Sequence, residues 1–245
     1  MKEITYKERS NFYTNEVKKN INDIKLLKSI KYKYSISSVI ICPCASGVYL
    51  NECSKIFKKS YFIDIEKSMI DIVNDNILKN KVDNIKACTH NMVNLKDLKI
   101  KYDCIISLNQ GIQYLNYSEF EEFLNNNYLV IDYIVLDLFN FNLDGMLPYY
   151  NSNIKDGEFY FSKSFMIKNK SIKRYNKHIH NNYYIDFYYK YFDEKSLLFE
   201  TNFRLYNYEY KLIKEIIEKN NKFQIQEKID KNDGTYILVL KTTKK

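Results

Sequence analysis

The sequence predicts an α/β fold: a doubly wound, mostly parallel sheet of the dinucleotide-binding kind, with an inserted antiparallel β lid. Three observations carry that prediction. The first is Val39-Ile40-Ile41-Cys42, an apolar, β-branched run without helical period, which reads as a fully buried strand. It stops at Pro43, and the small residues Ala45-Ser46-Gly47 that follow let backbone approach a ligand. The second is the helical spacing of Leu50, Cys53, Ile56 and Phe57, followed by another buried run, Tyr61-Phe62-Ile63, that ends in Asp64. Strand, small-residue turn, helix and a second strand ending in an acid open nucleotide-binding βαβ units, where an acid about 20 residues on holds a ribose diol. The third is a change of character after Leu147, where aromatic-rich segments read as antiparallel strands.

Taken in order, residues 3–29 read as one amphipathic helix, with Ile21, Ile24, Leu26, Leu27 and Ile30 along the apolar stripe. A helix over 67–80 turns Met69, Ile70, Ile72, Val73 and Ile77 inward. Strands are expected over 84–88, 102–108 and 128–138, and a helix over 118–127 with Ser118 as its N-cap. Lid strands are expected over 158–165, 171–178, 183–191 and 197–204. A helix over 208–219 and a hairpin of 223–227 with 236–241 around Asp233-Gly234 complete the chain. The organisation is one structural domain in three parts: a helix and cofactor-binding core (1–146), a lid and substrate region (147–203), and a C-terminal helix and hairpin (204–245).

Ser38–Gly47 with Tyr61–Ile72 resembles motifs I and II of the class I, Rossmann-like S-adenosylmethionine-dependent methyltransferases of small-molecule type. That family usually has an acid two residues before the first glycine of a G-x-G-x-G turn. The corresponding positions are Ile41, Pro43, Ala45 and Gly47, so only the last glycine is present. Residues 89–95 resemble the family's G-D-M-x-x-L segment with Asn91 for the aspartate, and residues 102–115 resemble its loop after the fourth strand. Asp137-Leu138-Phe139-Asn140 is similar to its L-D-x-F-N ending, and Phe203-Arg204-Leu205-Tyr206 to its R-x-Y/F segment. The resemblance implies S-adenosylmethionine as methyl donor, with S-adenosylhomocysteine as product. It implies that Asp64 holds the ribose, that Cys44, Ala45, Ser46 and Gly47 pass the methionine part, and that Asn91 and Met92 read adenine. Ile65 and Met69 would flank the nucleoside, Tyr13 would close over it, and Leu108 and Asn109 would line the cofactor. Asn109, Gln110 and Gln113 would stand at the reaction mouth, Gln113 among the catalytic groups, with Gln110 and Tyr114 binding the substrate and Arg204 as a clamp for its carboxylate or phosphate.

The lid adds candidates of its own. His178 and His180, two of only three histidines, share a strand face and are candidate bases. Around them Lys168, Lys170, Lys173, Arg174 and Lys177 form the densest basic cluster. Arg174 offers the best fork for a phosphate or other anion; the alternative is a solvated hairpin that blunts an edge strand.

Composition sets limits on partners. The net charge is +8, but lysine, asparagine, isoleucine and tyrosine are abundant while glycine, proline and arginine are scarce. An AT-rich genome imposes that pattern, so the charge says little about nucleic acid. A nucleic-acid (RNA) methyltransferase would want a base-recognition motif such as N-P-P-Y after the fourth strand, where Ser107-Leu108-Asn109-Gln110 stands. G-x-G-x-x-G is missing, which counts against dinucleotide oxidoreductases. A catalytically degenerate binding protein of the same fold stays open, because Ile41, Pro43 and Ala45 suit it. The start MKEITYKERSNFY lacks an apolar h-region and no run approaches 18 apolar residues, so neither export nor a membrane span is expected. The five cysteines read as reduced core residues of a cytoplasmic protein, and Cys42/Cys44 lack a second ligand pair at zinc spacing, so no metal is expected. The expected reaction is O-methylation of an anionic, phosphate- or sugar-bearing small molecule. Methyltransferases of this size and composition occur in bacterial surface-polysaccharide pathways, including capsule phosphoramidate biosynthesis, and by that analogy the acceptor belongs there.

Overall fold

The structure, a computed structural model, describes residues 6–17, 19–140, 156–167, 169–194, 196–231 and 234–244. The expected boundary at 146/147, Lys168 and Asp233 lie outside them. The first half of the chain runs α1 (Tyr6–Glu16), α2 (Ile21–Lys33), β1 (Ser38–Ile41), α3 (Leu50–Ile56), β2 (Lys59–Asp64), α4 (Lys67–Asn80), β3 (Ile85–Thr89), β4 (Cys104–Ser107), α5 (Tyr117–Asn127) and β5 (Tyr133–Phe139). Then come β6 (Tyr160–Ile167), β7 (Lys170–His180), β8 (Tyr184–Asp193), β9 (Ser196–Tyr206), α6 (Tyr210–Asn220), β10 (Phe223–Asp230) and β11 (Thr235–Thr242).

Seven strands form a sheet in the order β10-β11-β5-β4-β1-β2-β3. β1 to β5 are parallel, and β11 runs antiparallel to both β5 and β10. The strand period of two sorts side chains to the two faces. Ile40, Ile105, Ile134, Leu136 and Leu238 pack against α5 and α6, whereas Val39, Ile41, Ile106, Val135 and Ile237 pack under α2, α3 and α4. Strand order reverses between β1 and β4, and ligands of open α/β sheets bind outside the carboxyl ends of the strands at such a reversal.

Two local expectations are corrected. The single N-terminal helix is two helices, because Asn20 leaves helical geometry and caps α2 by accepting the Asn22 N–H at 2.9 Å. The cap of α5 is Asn116, not Ser118: Asn116 and Glu119 form a reciprocal capping box, with bonds of 2.9 and 2.8 Å.

The second sheet, β6-β7-β8-β9, is wholly antiparallel. Its last strand runs through Phe203 to Tyr206, past the expected end of the lid region at residue 203. Its inner face carries Arg174, Asn176, His178, Phe187, Tyr189, Tyr191, Phe199 and Phe203. Phe187 stacks on Phe203 at 4.9 Å and Tyr191 on Phe199 at 4.3 Å. Phe139, at the end of β5, packs with Ile185, Phe187 and Leu205, which joins this sheet to the main core.

Candidate active site

The turn after β1 is built by competition for backbone donors. Ala45 lies in the left-handed region at φ 46°, and its N–H donates to Asp64 Oδ2 at 2.7 Å. Asp64 Oδ1 accepts from the Glu66 N–H at 3.0 Å. An ionised carboxylate has about four lone-pair sites. The Glu66 and Ala45 amides, with the Ile65 amide beside them, use up to three of these, which leaves the carboxylate room to accept a hydroxyl at the carboxyl end of β2. Burial pushes Asp64 above the ordinary aspartate range, although the Glu66 and Ala45 amides pull it back. Gly47, at φ 74°, is needed both for that conformation and for space, since a Cβ would meet Val73 of α4 at 3.0 Å.

The loop after β4 closes the other side. Gly111 lies against Pro43, where a Cβ would come within 2.6 Å of the ring. Asn109 and Gln110 precede it in the left-handed region, at φ 51° and 58°. Both are held by Asp137 of β5: the Asn109 N–H at 3.0 Å and Gln110 Nε2 at 3.1 Å donate to Oδ2. Gln110 is therefore tied to Asp137, not extended to an acceptor.

Over these loops stand α1 and the inner face of the second sheet. Burial raises the Tyr13 phenol, and Tyr114, Asp64, Glu16 and Cys44 all lie near enough to raise it further. Tyr114 in turn meets Phe203 at 5.8 Å. Thus Tyr13, Cys44, Asp64 and Tyr114 lie near one another at the carboxyl ends of the parallel strands, beside the lid's aromatic face. The same face holds a polar hub. Glu16 of α1, with 6% of its side chain exposed, takes hydrogen bonds from Arg174 and Tyr191 (2.8 Å) and forms an ion pair with Lys163 (3.0 Å). Arg174 also reaches Ser162 at 3.0 Å and stacks 4.3 Å over Tyr189.

The other expected residues divide. Ile65 is 67% exposed beside Asp64, and Met69 is half-buried in the first turn of α4. Asn91 spends its side-chain oxygen on the Val93 N–H, so it caps the short turn that carries Met92. Leu108 is buried in the core under α2 and α3, so only its backbone can face the cleft. Gln113 is corrected: it is fully buried, and its amide joins both the N–H and the carbonyl of Phe139 to the carbonyl of Tyr206. That amide ties the sheets together and is neither an acid nor a base near neutrality. Arg204 is also corrected, because it lies on the outer face, paired through two bonds to Asp186 at 2.7 and 2.8 Å.

His178 points inward, 3% exposed, against Phe187 and Tyr160. Burial, reinforced by His180 and Arg174, lowers its pKa from 6.5 to about 4. A base so weak is poorly matched to deprotonating a hydroxyl near neutrality. His180, at the end of the strand, is part-exposed and has Asp156 at 4.0 Å. Because the folded protein holds His178 neutral down to about pH 4 and the unfolded chain protonates at 6.5, its contribution to stability is complete above 6.5 and is lost as pH falls toward 4. The urea midpoint is expected to fall through that window, and His178→Asn to flatten the fall.

The basic cluster splits by strand alternation. Arg174 faces inward, while Lys173 and Lys177 face outward, the latter over Phe159 and Tyr188. Lys170 pairs with Asp193 and Lys190 with Glu200. Two grooves of about 310 and 200 Å³ lie on this sheet around Phe159, and neither is lined by an expected cofactor-binding or catalytic residue. Sequence reasoning missed Glu16, Asp23, Tyr49, Tyr191 and Lys231. Asp137 alone gave a usable signal, as a charge inside an apolar strand.

The fold and this cleft define the class: the Rossmann-like fold of class I S-adenosylmethionine-dependent methyltransferases. Residues 39–132 match the family model described as a methyltransferase domain. Among curated proteins none matches it. Solved structures that are similar include DesVI of Streptomyces venezuelae, with a TM-score of 0.72 and 12% identity over 99% of this chain and 100% of that one. The amino pentose methyltransferase CalS10 of Micromonospora echinaspora gives a TM-score of 0.70 at 10% identity, over 99% and 100%. The sugar N-methyltransferase KedS8 of a Streptoalloteichus species gives 0.70 at 12%, over 94% and 92%. At such identities the likeness is one of fold. Among the described residues, no helix is long and apolar enough to cross a membrane, and no group of three His, Cys, Asp or Glu could hold a metal ion.

Proposed function

We propose that the protein transfers the methyl group of S-adenosylmethionine to a small-molecule acceptor of sugar type, at an amine or at an oxygen already ionised. The observation that carries this reading is the grouping at the strand ends: Asp64, with acceptor capacity to spare, lies near Tyr13 and Tyr114 beside an aromatic inner sheet. The residues fit the cofactor, since Asp64 can take a ribose diol and the Ala45–Gly47 turn brings backbone close. The cofactor supplies an electrophilic methyl on a sulfonium, displaced in line by the acceptor. The chain therefore has to bind, orient and exclude water. Tyr13, Tyr114, Tyr189 and Phe203 supply an apolar wall for a sugar face.

The restriction on the acceptor atom follows from the absence of a fit base among the described residues at the cleft. Gln113 is an amide tied to backbone, and His178 has a pKa of about 4. An amine can lose its proton to water, and an ionised oxygen has none to lose; a neutral hydroxyl would need help. The amine is favoured by what the similar structures are described as, an amino pentose methyltransferase and a sugar N-methyltransferase. The anionic oxygen, the class to which a capsule phosphoramidate acceptor belongs, is favoured by the single excess positive charge that Arg174 and Lys163 together leave over Glu16 on the inner face.

Calorimetric titration with S-adenosylmethionine, S-adenosylhomocysteine and NAD tests the cofactor, and methyl-label transfer to amino sugars, sugar phosphates and single-stranded RNA tests the acceptor. Binding of both adenosyl ligands but not NAD, with label on a sugar, is the expected result. Binding of neither adenosyl ligand overturns the enzyme reading in favour of a degenerate fold, and label on RNA alone overturns the small-molecule reading.

A further inference from the structure

Asp137 is a charge in the interior of a seven-stranded sheet, 2% exposed, in a strand whose other inward positions are apolar. Such a charge is weak evidence for stability, because a hydrophobic residue of similar volume often serves as well. Its partners point to another role. Oδ1 accepts from Lys231 Nζ at 2.8 Å, and Oδ2 holds Asn109 and Gln110. Those two residues are consecutive non-glycine positions in left-handed geometry, which costs free energy and persists only where the surroundings over-determine it. Lys231 is also 4.0 Å from Asp23, another buried carboxylate. The Tyr49 hydroxyl donates to Asp23 and is reached by the Asn109 side chain. Burial and the Asp23 charge raise the Asp137 carboxyl while Lys231 pulls it back, and with both acids ionised two carboxylates against one ammonium leave the cluster with an excess negative charge. Asn109, exposed, is where the cluster meets the cleft.

We propose that Asp137 is a positioning residue for the amino-acid end of the cofactor. It fixes Asn109 and Gln110 beside the turn after β1. With Asp23 it also supplies the attraction for an ammonium group that an acid at the end of β1 would supply, a position filled here by Ile41. The inference rests on the S-adenosylmethionine reading above.

The test compares S-adenosylhomocysteine with 5′-methylthioadenosine, which has the same nucleoside thioether but no amino-acid end, in binding to the wild type, Asp137→Asn and Asp23→Asn. In the wild type S-adenosylhomocysteine binds the tighter. In Asp137→Asn that preference is expected to shrink by about tenfold or more, while methylthioadenosine affinity stays unchanged. An unchanged preference, or equal weakening of both ligands, overturns the proposal. Should Asp137→Asn not fold, Asp23→Asn, which removes the excess charge and leaves the loop's anchor in place, must shrink the preference, and an unchanged ratio there overturns it. A wild type that binds neither ligand overturns the cofactor reading itself, and no variant is needed to see that.

Discussion

An Asp64→Asn protein is expected to bind S-adenosylhomocysteine about tenfold to a hundredfold more weakly than its parent, because hydrogen bonds to a charged group are worth about 1.5–3 kcal/mol. The substitution keeps the carbonyl oxygen that the Ala45 N–H needs, or the one that Glu66 needs, but not both. It also removes the charge that makes the remaining lone pairs attractive to a ribose diol. One lost backbone partner costs about 1 kcal/mol, which for a chain of this size lowers the melting temperature by about 2–4 °C. Asp64→Ala orphans both amides and should melt lower still. Calorimetry and thermal denaturation separate the two effects. Near-parental affinity in Asp64→Asn would place the ribose elsewhere.

The second large effect is one of stability. Arg174→Met is expected to destabilise the protein by about 1–3 kcal/mol, below the range for leaving a buried charge wholly unpaired, because Lys163 still faces Glu16. The loss arises because Glu16, 6% exposed, would be left buried with only Lys163 and Tyr191 against it. Adding Glu16→Gln to Arg174→Met should recover part of that loss, since it removes the stranded charge. Urea denaturation of the two single variants and the double variant reads the coupling directly. If Arg174→Met cost no more than an exposed lysine on the same strand, such as Lys173→Met, the inner-face hub would not be holding α1 to the sheet.

These two residues mark how far the sequence could be read. The parallel core was legible because its signals are local: an unbroken apolar, β-branched run in β1, a period near 3.6 in α4, whose span of 67–80 matches the expectation at both ends, and an acid closing β2. The aromatic strands of the second sheet were visible as strands, yet their faces were not. A shift of one residue moves every side chain to the opposite face, and bulges between Phe161 and Lys163 and between Tyr191 and Phe192 reset the alternation. Hence Lys173 and Arg174, adjacent in one basic run, end on opposite sides, and Arg204 falls on the wrong one for an acceptor. Glu16 could not be found at all, because its partner lies 158 residues away. Gln113 looked like a reaction-mouth residue because a buried amide that splints two sheets has the same sequence signature as one that contacts substrate.

The contact between Pro43 and Gly111 bears on how such chains can vary. The family pattern puts a glycine at position 43, and its loss looks like decay when that turn is considered alone. In this fold the missing space reappears across the cleft: the ring at 43 occupies volume that a side chain at 111 would need. The two positions are therefore one constraint spread over two loops. A chain that acquires proline at the first must already carry glycine at the second, and a reversion at the first would relax the second only in part, because Ser107 Oγ also lies 3.2 Å from that Cβ position. The tally of glycines in a single motif undercounts what this cleft retains, because steric room is conserved by the pair and not by either member.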